Sequence, residues 1–427
     1  MASPRILIIG ANGQIGTELA LALASRHGDQ AVITSDIVAT GPHPQLHHET
    51  LDAIDAAALA AIVQRHGITQ VYQLVAALSA RGEQKPGWAW QLNMTSLLNV
   101  LELAAAGTIE RVFWPSSIAA FGPSTPREDT PQTTVMEPTT VYGISKLAGE
   151  GWCRWYHANR GVDVRSLRYP GLISHRTAPG GGTTDYAVEI FHAALRERRY
   201  TCFLEADQRL PMMYMDDAVR ASIELMAAPA SAISERGSYN LAAMSFSPTE
   251  IAEQIAAKIA GFQFDCEPDF RQAIAAAWPC SIDDSRARRD WGWAPRFDLP
   301  AMVAEMLEQL RPRYRESCAS RETGGRAIVP AKPPPVGVGA GICPGSTRRR
   351  QSQLRGQTAP APGKQGKHRR QPDSQLPFQD ILPAVADRLV HHQRRDRHRG
   401  QAQPQLDQGN DQQRPVQAVG RIPGQLP

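Results

Sequence analysis

Apolar positions along this chain follow two alternating patterns. Short, nearly continuous runs rich in β-branched residues are each followed by a longer Ala/Leu-rich stretch with helical spacing, from Arg5 to about Arg311. RILIIG has the uninterrupted apolar character of a strand buried on both faces, and GTELALALASRHG after it reads as a helix. AVITSD, QVYQLVA and RVFWPSS repeat the strand pattern, with helices predicted over DAAALAAIVQRHG and NMTSLLNVLELAAAG between them. A long helix over SKLAGEGWCRWYHANRG then leads into the strand DVRSLRYPG. Strands alternating with helices of about 10–15 residues imply βαβ units with right-handed crossovers. The fold class expected is α/β, built on a doubly wound parallel sheet.

The second half is less regular. GGGTTDYAVEIFHAALRERR predicts a glycine loop entering a helix, and SPTEIAEQIAAKIAG a helix opened by Ser247, Pro248 and Glu250. DLPAMVAEMLEQL predicts a last helix. The organisation expected is a sheet domain over 1–170 and a smaller C-terminal α/β region over 171–316, interleaved with the sheet and suited to substrate contacts. Beyond it lies a tail over 317–427. That tail is a Pro/Gly/Gln/Arg mixture almost without apolar periodicity, a composition that cannot bury enough apolar area to fold, so disorder is expected. The switch in composition is also what a GC-rich gene read out of frame produces, with the native frame expected to end shortly after Gln309.

Charge separates the same parts. Residues 317–427 hold 18 Lys+Arg against 7 Asp+Glu, which leaves 28 against 35 in 1–316, so the body is net −7 and the tail net +11. An acidic body is not built to bind phosphate backbones, so nucleic acid is not an expected partner except through the basic tail. The six cysteines, Cys153, Cys202, Cys266, Cys280, Cys318 and Cys343, stand far apart with no metal spacing, so no metal site is expected and they read as reduced thiols. No stretch approaches the ~18 apolar residues of a membrane span. A soluble, cytoplasmic protein without membrane contact is the expectation.

The chemistry is carried by three motifs. GANGQIG places Gly10, Gly13 and Gly16 directly after a strand and at the opening of a helix, where a tight turn and a bare helix N-terminus receive a pyrophosphate. Asp36 ends the next strand, placed to accept the adenine ribose hydroxyls, and no arginine follows in DIVATG, so NAD is expected over NADP. WPSSIAAFG puts Ser116 and Ser117 at a strand's carboxyl end, the side on which such sheets bind ligands. VYGISK then sets Tyr142 four residues before Lys146 on a helix. A phenol with pKa near ~10 is a poor base at neutral pH, and a neighbouring ammonium is the means of making it a better one.

Taken together, these residues resemble the extended short-chain dehydrogenase/reductase family, which includes the sugar-nucleotide epimerases, over residues 5 to about 310. The resemblance implies a Rossmann domain over 1–170 that binds NAD, with Tyr142 as general base, Lys146 lowering its pKa and holding the nicotinamide ribose, and Ser117 orienting the substrate hydroxyl, Ser116 being the alternative. Within the family, WPSSIAAFGP, PGGGTTDYAVEIFHAAL and LPMMYMDDAVRA are similar to the L-threonine 3-dehydrogenases, and Pro170-Gly171 departs from the asparagine usual in sugar-nucleotide enzymes. That branch implies NAD-dependent oxidation of L-threonine to 2-amino-3-oxobutyrate; the alternative is a sugar-nucleotide epimerase or dehydratase. Further cofactor contacts implied by position are Gln14, Ile15, Asp52, Leu74, Ala76, Asn93, Tyr169 and Leu172. Ser79, Thr183, Thr184 and Trp278 are the candidates around the substrate, the two threonines being equally suited to cap the helix near Asp185. Asp217 reads as a charge at a helix N-terminus and MMYM as packing. The resemblance also implies a homodimer, since family members commonly pair through a four-helix interface.

Overall fold

The computed structural model describes residues 3–177 and 182–322. Its frame is a sheet whose strands are β1 (Ile6–Ile9), β2 (Val32–Asp36), β3 (His47–Thr50), β4 (Gln70–Gln73), β5 (Arg111–Ser117) and β6 (Val164–Tyr169), with a seventh strand from the second half, β10 (Tyr239–Asn240). The order is β10-β6-β5-β4-β1-β2-β3 and every pair is parallel, the doubly wound Rossmann arrangement with its order reversing between β1 and β4. β10 beside β6 is where the second half returns to the sheet.

Alternation along β1 sorts its side chains to two cores. Ile6 and Ile8 pack with helices α1 (Gln14–His27) and α7 (Met215–Ala227), whereas Leu7 and Ile9 pack with α2 (Ala56–His66), α4 (Pro86–Ala105) and α5 (Val141–Arg160). A short helix α3 (Ser79–Gln84) precedes α4.

The second half builds two small sheets, β11-β9-β7 and β12-β8, from β7 (Gly171–Ile173), β8 (Arg199–Cys202), β9 (Leu210–Tyr214), β11 (Met244–Phe246) and β12 (Gln263–Cys266). Against them lie α6 (Tyr186–Glu197), α8 (Pro248–Ala256), α9 (Phe270–Ala276), α10 (Ser285–Trp291) and α11 (Leu299–Glu322), enclosing a third core. Ser247 and Glu250 form the expected reciprocal cap on α8. Met212, Met213 and Met215 are buried as packing. Asp217 sits in the first turn of α7, pairs with Arg220 at 2.7 Å and accepts the Arg296 amide at 2.8 Å, so it also ties α7 to a later loop.

Three differences from the expected elements have local causes. β3 was not expected: His-His-Glu-Thr carries no apolar signal, and it is held by backbone pairing to β2 from Ile33↔His47 to Asp36↔Thr50. α4 begins seven residues before the predicted Asn93, because Pro86 is suited to a first helical position. α11 runs past both Gln309 and Glu316; Leu310 is buried, and the Tyr314 hydroxyl bonds His192 Nδ1 at 2.7 Å, so the chain through Tyr314 belongs to the fold. From residue 323 the tail, with its expected disorder, nucleic-acid contact and altered frame, lies outside the described residues. Cys153, Cys202, Cys266 and Cys280 are free thiols. No helix among the described residues is long and apolar enough to cross a membrane.

Candidate active site

The cofactor turn is shaped by close backbone approach. A Cβ on Gly16 would stand 2.4 Å from the Gly10 carbonyl oxygen and 2.7 Å from Ala11 Cα, so only glycine lets α1 start this near β1. Gly13 is the N-cap of α1 and offers no side chain to its first amides, and no acidic residue occupies the first turn. That leaves a bare, partially positive helix end facing the cleft, which fits a pyrophosphate. Asp36, at the end of β2, accepts the amides of Asn12 at 3.2 Å and Val38 at 3.3 Å, so its carboxylate is held beside this turn.

The second wall comes from β5 and α5. Thr140 caps α5 by accepting the Gly143 amide at 3.0 Å, and a Cβ on Gly143 would fall 2.1 Å from the Ala119 carbonyl oxygen. The first turn of α5 therefore lies flush on the segment after Ser117. This contact brings Tyr142 and Ser117 to the same cleft, where the Ser117 hydroxyl accepts the Ala119 amide at 3.2 Å. One turn on, Lys146 is buried; its Nζ donates to the Pro115 carbonyl at 2.5 Å and stands 4.5 Å from the centroid of the Trp114 ring and 5.4 Å from that of Tyr142.

Burial sets the proton affinities of this pair. Desolvation pushes the Tyr142 phenol up to about 12, the Ser117 hydroxyl pulling the other way. Desolvation also pushes the Lys146 ammonium down to about 7, opposed by the carboxylate of Glu150. The motif spacing predicts that Lys146 lowers the phenol's pKa, whereas burial here raises it. Ser116 is drawn elsewhere. Its hydroxyl donates to Glu150 Oε1 at 2.7 Å, inside a buried network in which Arg168 grips Glu150 at 2.9 and 2.7 Å and reaches Asn240 Oδ1 at 2.9 Å.

A cleft of about 270 Å³ is lined by most of the residues singled out from sequence: Gly10, Gly13, Gln14, Ile15 and Gly16 of the turn, Leu74, Ala76, Tyr169 and Leu172, and Ser116, Ser117, Tyr142, Lys146, Thr183, Thr184 and Trp278. Four candidates stand apart from that lining. Asp36 is beside the turn, as above. Asp52 is exposed after β3 and accepts the Ile54 amide at 3.2 Å. Asn93 is buried behind the wall, accepting the Ala77 amide at 2.7 Å and donating to Ser145 Oγ at 2.9 Å, so it fixes the loop after β4. Ser79 opens α3, and its side chain lies outside the described residues. The N-cap of α6 is Asp185, not either threonine, and Asp185 accepts the Gly182 amide at 2.7 Å while lining the cleft. Sequence reasoning missed Asp185 as a lining residue because it read only as a helix start. A larger depression of about 820 Å³ between α1 and α7 mixes Glu18, Arg26, Arg176, Asp216, Arg220 and Arg296 and holds none of these motifs.

A family model described as the NAD dependent epimerase/dehydratase family matches residues 6–242. The chain belongs to that family. NAD is its cofactor, and the glycine turn, the uncapped α1 N-terminus and Asp36 are the groups of this structure that fit it. Among solved structures, the chain is similar to a holo-form GalE-like L-threonine dehydrogenase from Cupriavidus necator, at 70% identity and TM-score 0.71, covering 72% of this chain and 100% of that one. A monomeric L-threonine 3-dehydrogenase from a metagenome is 46% identical with TM-score 0.70, covering 72% of this chain and 99% of that one. An uncharacterized epimerase/dehydratase of Staphylococcus haemolyticus is 46% identical over 318 residues, 72% of this chain and 98% of that protein. The family and these neighbours support an NAD-dependent oxidoreductase.

Proposed function

We propose that the protein oxidises L-threonine at its 3-hydroxyl to 2-amino-3-oxobutyrate with reduction of NAD. The observation that carries this reading is the junction of Tyr142, Ser117 and Lys146 with the glycine turn in one cleft. The likeness to L-threonine dehydrogenases supports the choice of substrate. So does the cleft's charge: among the described residues Lys146 is its only basic lining residue and Asp185 its only acid, a balance suited to a small zwitterion rather than a sugar diphosphate.

NAD, when bound, supplies the hydride acceptor and a positively charged ring. Tyr142 accepts the hydroxyl proton, the C3–H bond breaks with both electrons leaving as hydride, and C3 becomes a carbonyl. Ser117 holds the same oxygen. Thr183 and Thr184 bind the carboxylate and ammonium groups, Asp185 provides a negative charge at the ammonium end, and Trp278 closes the cleft. Bringing a phenol from about 12 to half-ionised near pH 8 requires roughly 5.5 kcal/mol. A unit charge about 5 Å away contributes about 3 kcal/mol at an effective dielectric of ~20, about half of that requirement, and Lys146 supplies it only while protonated, a form that the phenolate beside it favours against burial.

Mixing the full chain with NAD and L-threonine and following NADH absorbance tests the assignment. Steady NADH formation is expected. Silence with threonine, together with conversion of a UDP-hexose without net NADH, would establish the epimerase reading instead. Pairing through α4 and α5 belongs to the same proposal: Trp90, Trp152 and Trp155 are 44%, 38% and 43% exposed on those helices. Light scattering is expected to give twice the chain mass, and a monomer would refute the pairing.

A further inference from the structure

We infer that His47, Glu49 and His66 form a binding site for a divalent transition-metal cation of the zinc class, at the edge of the sheet and apart from the cleft. Sequence spacing gave no sign of it. The polar edge strand β3 supplies two of the three groups, since residues two apart on a strand share a face, and His66 comes from the last turn of α2 across from it.

The three side chains converge on one point. His66 Nε2 lies 2.6 Å and His47 Nε2 3.2 Å from the same oxygen, Glu49 Oε1, and all three ligand atoms fall within 4.8 Å of one another. Their backbones are independently fixed. Pairing to β2 holds His47 opposite Ile33 and Glu49 opposite Ser35, and the His66 carbonyl accepts Arg5 Nε at 3.1 Å. His48 is not part of the group: its two ring nitrogens bond Thr34 and the Val38 carbonyl.

Two imidazoles and a carboxylate are the donor set that suits zinc, copper or nickel rather than magnesium or calcium. Bonds of about 2.0–2.2 Å in tetrahedral geometry set neighbouring ligand atoms about 3.3–3.5 Å apart, so the two contacts to Glu49 need to open by less than about 1 Å and the two imidazole nitrogens, within 4.8 Å, to close by no more than about 1.5 Å. Water would complete the coordination, because the His47 side chain is 57% exposed. One group competes with the ion. Arg65 NH1 bonds Glu49 Oε1 at 2.9 Å, and its side chain, 58% exposed, is free to swing into solvent. A bound ion would bridge β3 to α2 and stabilise this edge of the sheet.

The test is zinc binding to the full chain near neutral pH by calorimetry, with thermal unfolding measured alongside. The wild type is expected to bind one more zinc ion per chain than His47→Ala/His66→Ala, and zinc is expected to raise the unfolding midpoint of the wild type but not of the double variant. Histidines in residues 323–427 contribute equally to both proteins and cancel. His47→Ala, changing only the exposed ligand, is expected to weaken binding at least about ten-fold with the fold intact, and Arg65→Gln to tighten it several-fold by removing the competitor. Equal stoichiometry and equal midpoint shifts in wild type and double variant, or no effect of zinc on either, would overturn the proposal. So would weaker binding in Arg65→Gln.

Discussion

Replacing Lys146 with methionine separates two roles that the geometry gives this residue. The ammonium stands 5.4 Å from the centroid of the Tyr142 ring, where a unit charge at an effective dielectric of ~20 is worth about 3 kcal/mol, or roughly two units of the phenol's pKa. Oxidation requires the phenolate. Removing the cation therefore moves the acidic limb of the kcat profile to higher pH by up to about two units and lowers kcat by up to roughly 10²-fold near pH 7, where about half of Lys146 is protonated, with a smaller loss at higher pH. The buried stem lies against Trp114, and methionine preserves most of that contact. The assay is the pH dependence of NADH formation at saturating NAD and L-threonine. A limb that stays in place, with a loss equal at every pH or confined to the KM for NAD, would show that Lys146 only holds the cofactor and would refute the electrostatic role.

Three further outcomes follow from the same geometry. Ser117→Ala is expected to lower kcat by roughly 10²-fold with stability nearly unchanged, because its hydroxyl serves the reacting oxygen, whereas Ser116→Ala is expected to cost about 1–3 kcal/mol of stability and little activity, because it serves Glu150; denaturant titration with kinetics distinguishes them, and the reverse pattern would exchange their roles. Gly16→Ala drives a Cβ to 2.4 Å from the Gly10 oxygen and is expected to weaken NAD binding at least about ten-fold in a fluorescence titration, an unchanged Kd contradicting the reading of the turn. Lys146 has a folded pKa of about 7 against 10.5 when exposed, so between those values the unfolded chain holds a proton that the folded chain lacks. Its contribution then makes stability rise with pH by up to about 1.4 kcal/mol per unit and leaves it flat below pH 7. The urea stability of wild type minus that of Lys146→Met is expected to show that slope, and a difference falling with pH would contradict it.

The order of the central elements was legible because βαβ units buried on both faces write continuous apolar runs, as in Ile6–Ile9 and Val112–Trp114. β3 was not legible because backbone pairing alone holds it, and its residues are polar. The small sheets of the second half depend on strands of three to five residues, such as Gly171–Ile173, too short for a period to register. Motif spacing located the glycine turn, Ser117, Tyr142 and Lys146, whose separations are fixed within single turns or at element ends. Residues brought in by tertiary packing were beyond it: Asp185 at the cleft, the Glu150–Arg168 pair behind Ser116, and the convergence of His47 and Glu49 with His66. The sign of the Tyr142 shift was also hidden, because it depends on desolvation that only the folded surroundings impose.

The most direct test of the central claim follows the isotope. L-threonine deuterated at C3 is given with NAD to the wild type and to Tyr142→Phe, and the reduced cofactor is analysed by mass spectrometry. One deuterium in the NADH formed by the wild type, and at least about 10²-fold slower formation by Tyr142→Phe with NAD still bound, is the result expected. Unlabelled NADH, or a Tyr142→Phe enzyme as fast as the wild type, would contradict it.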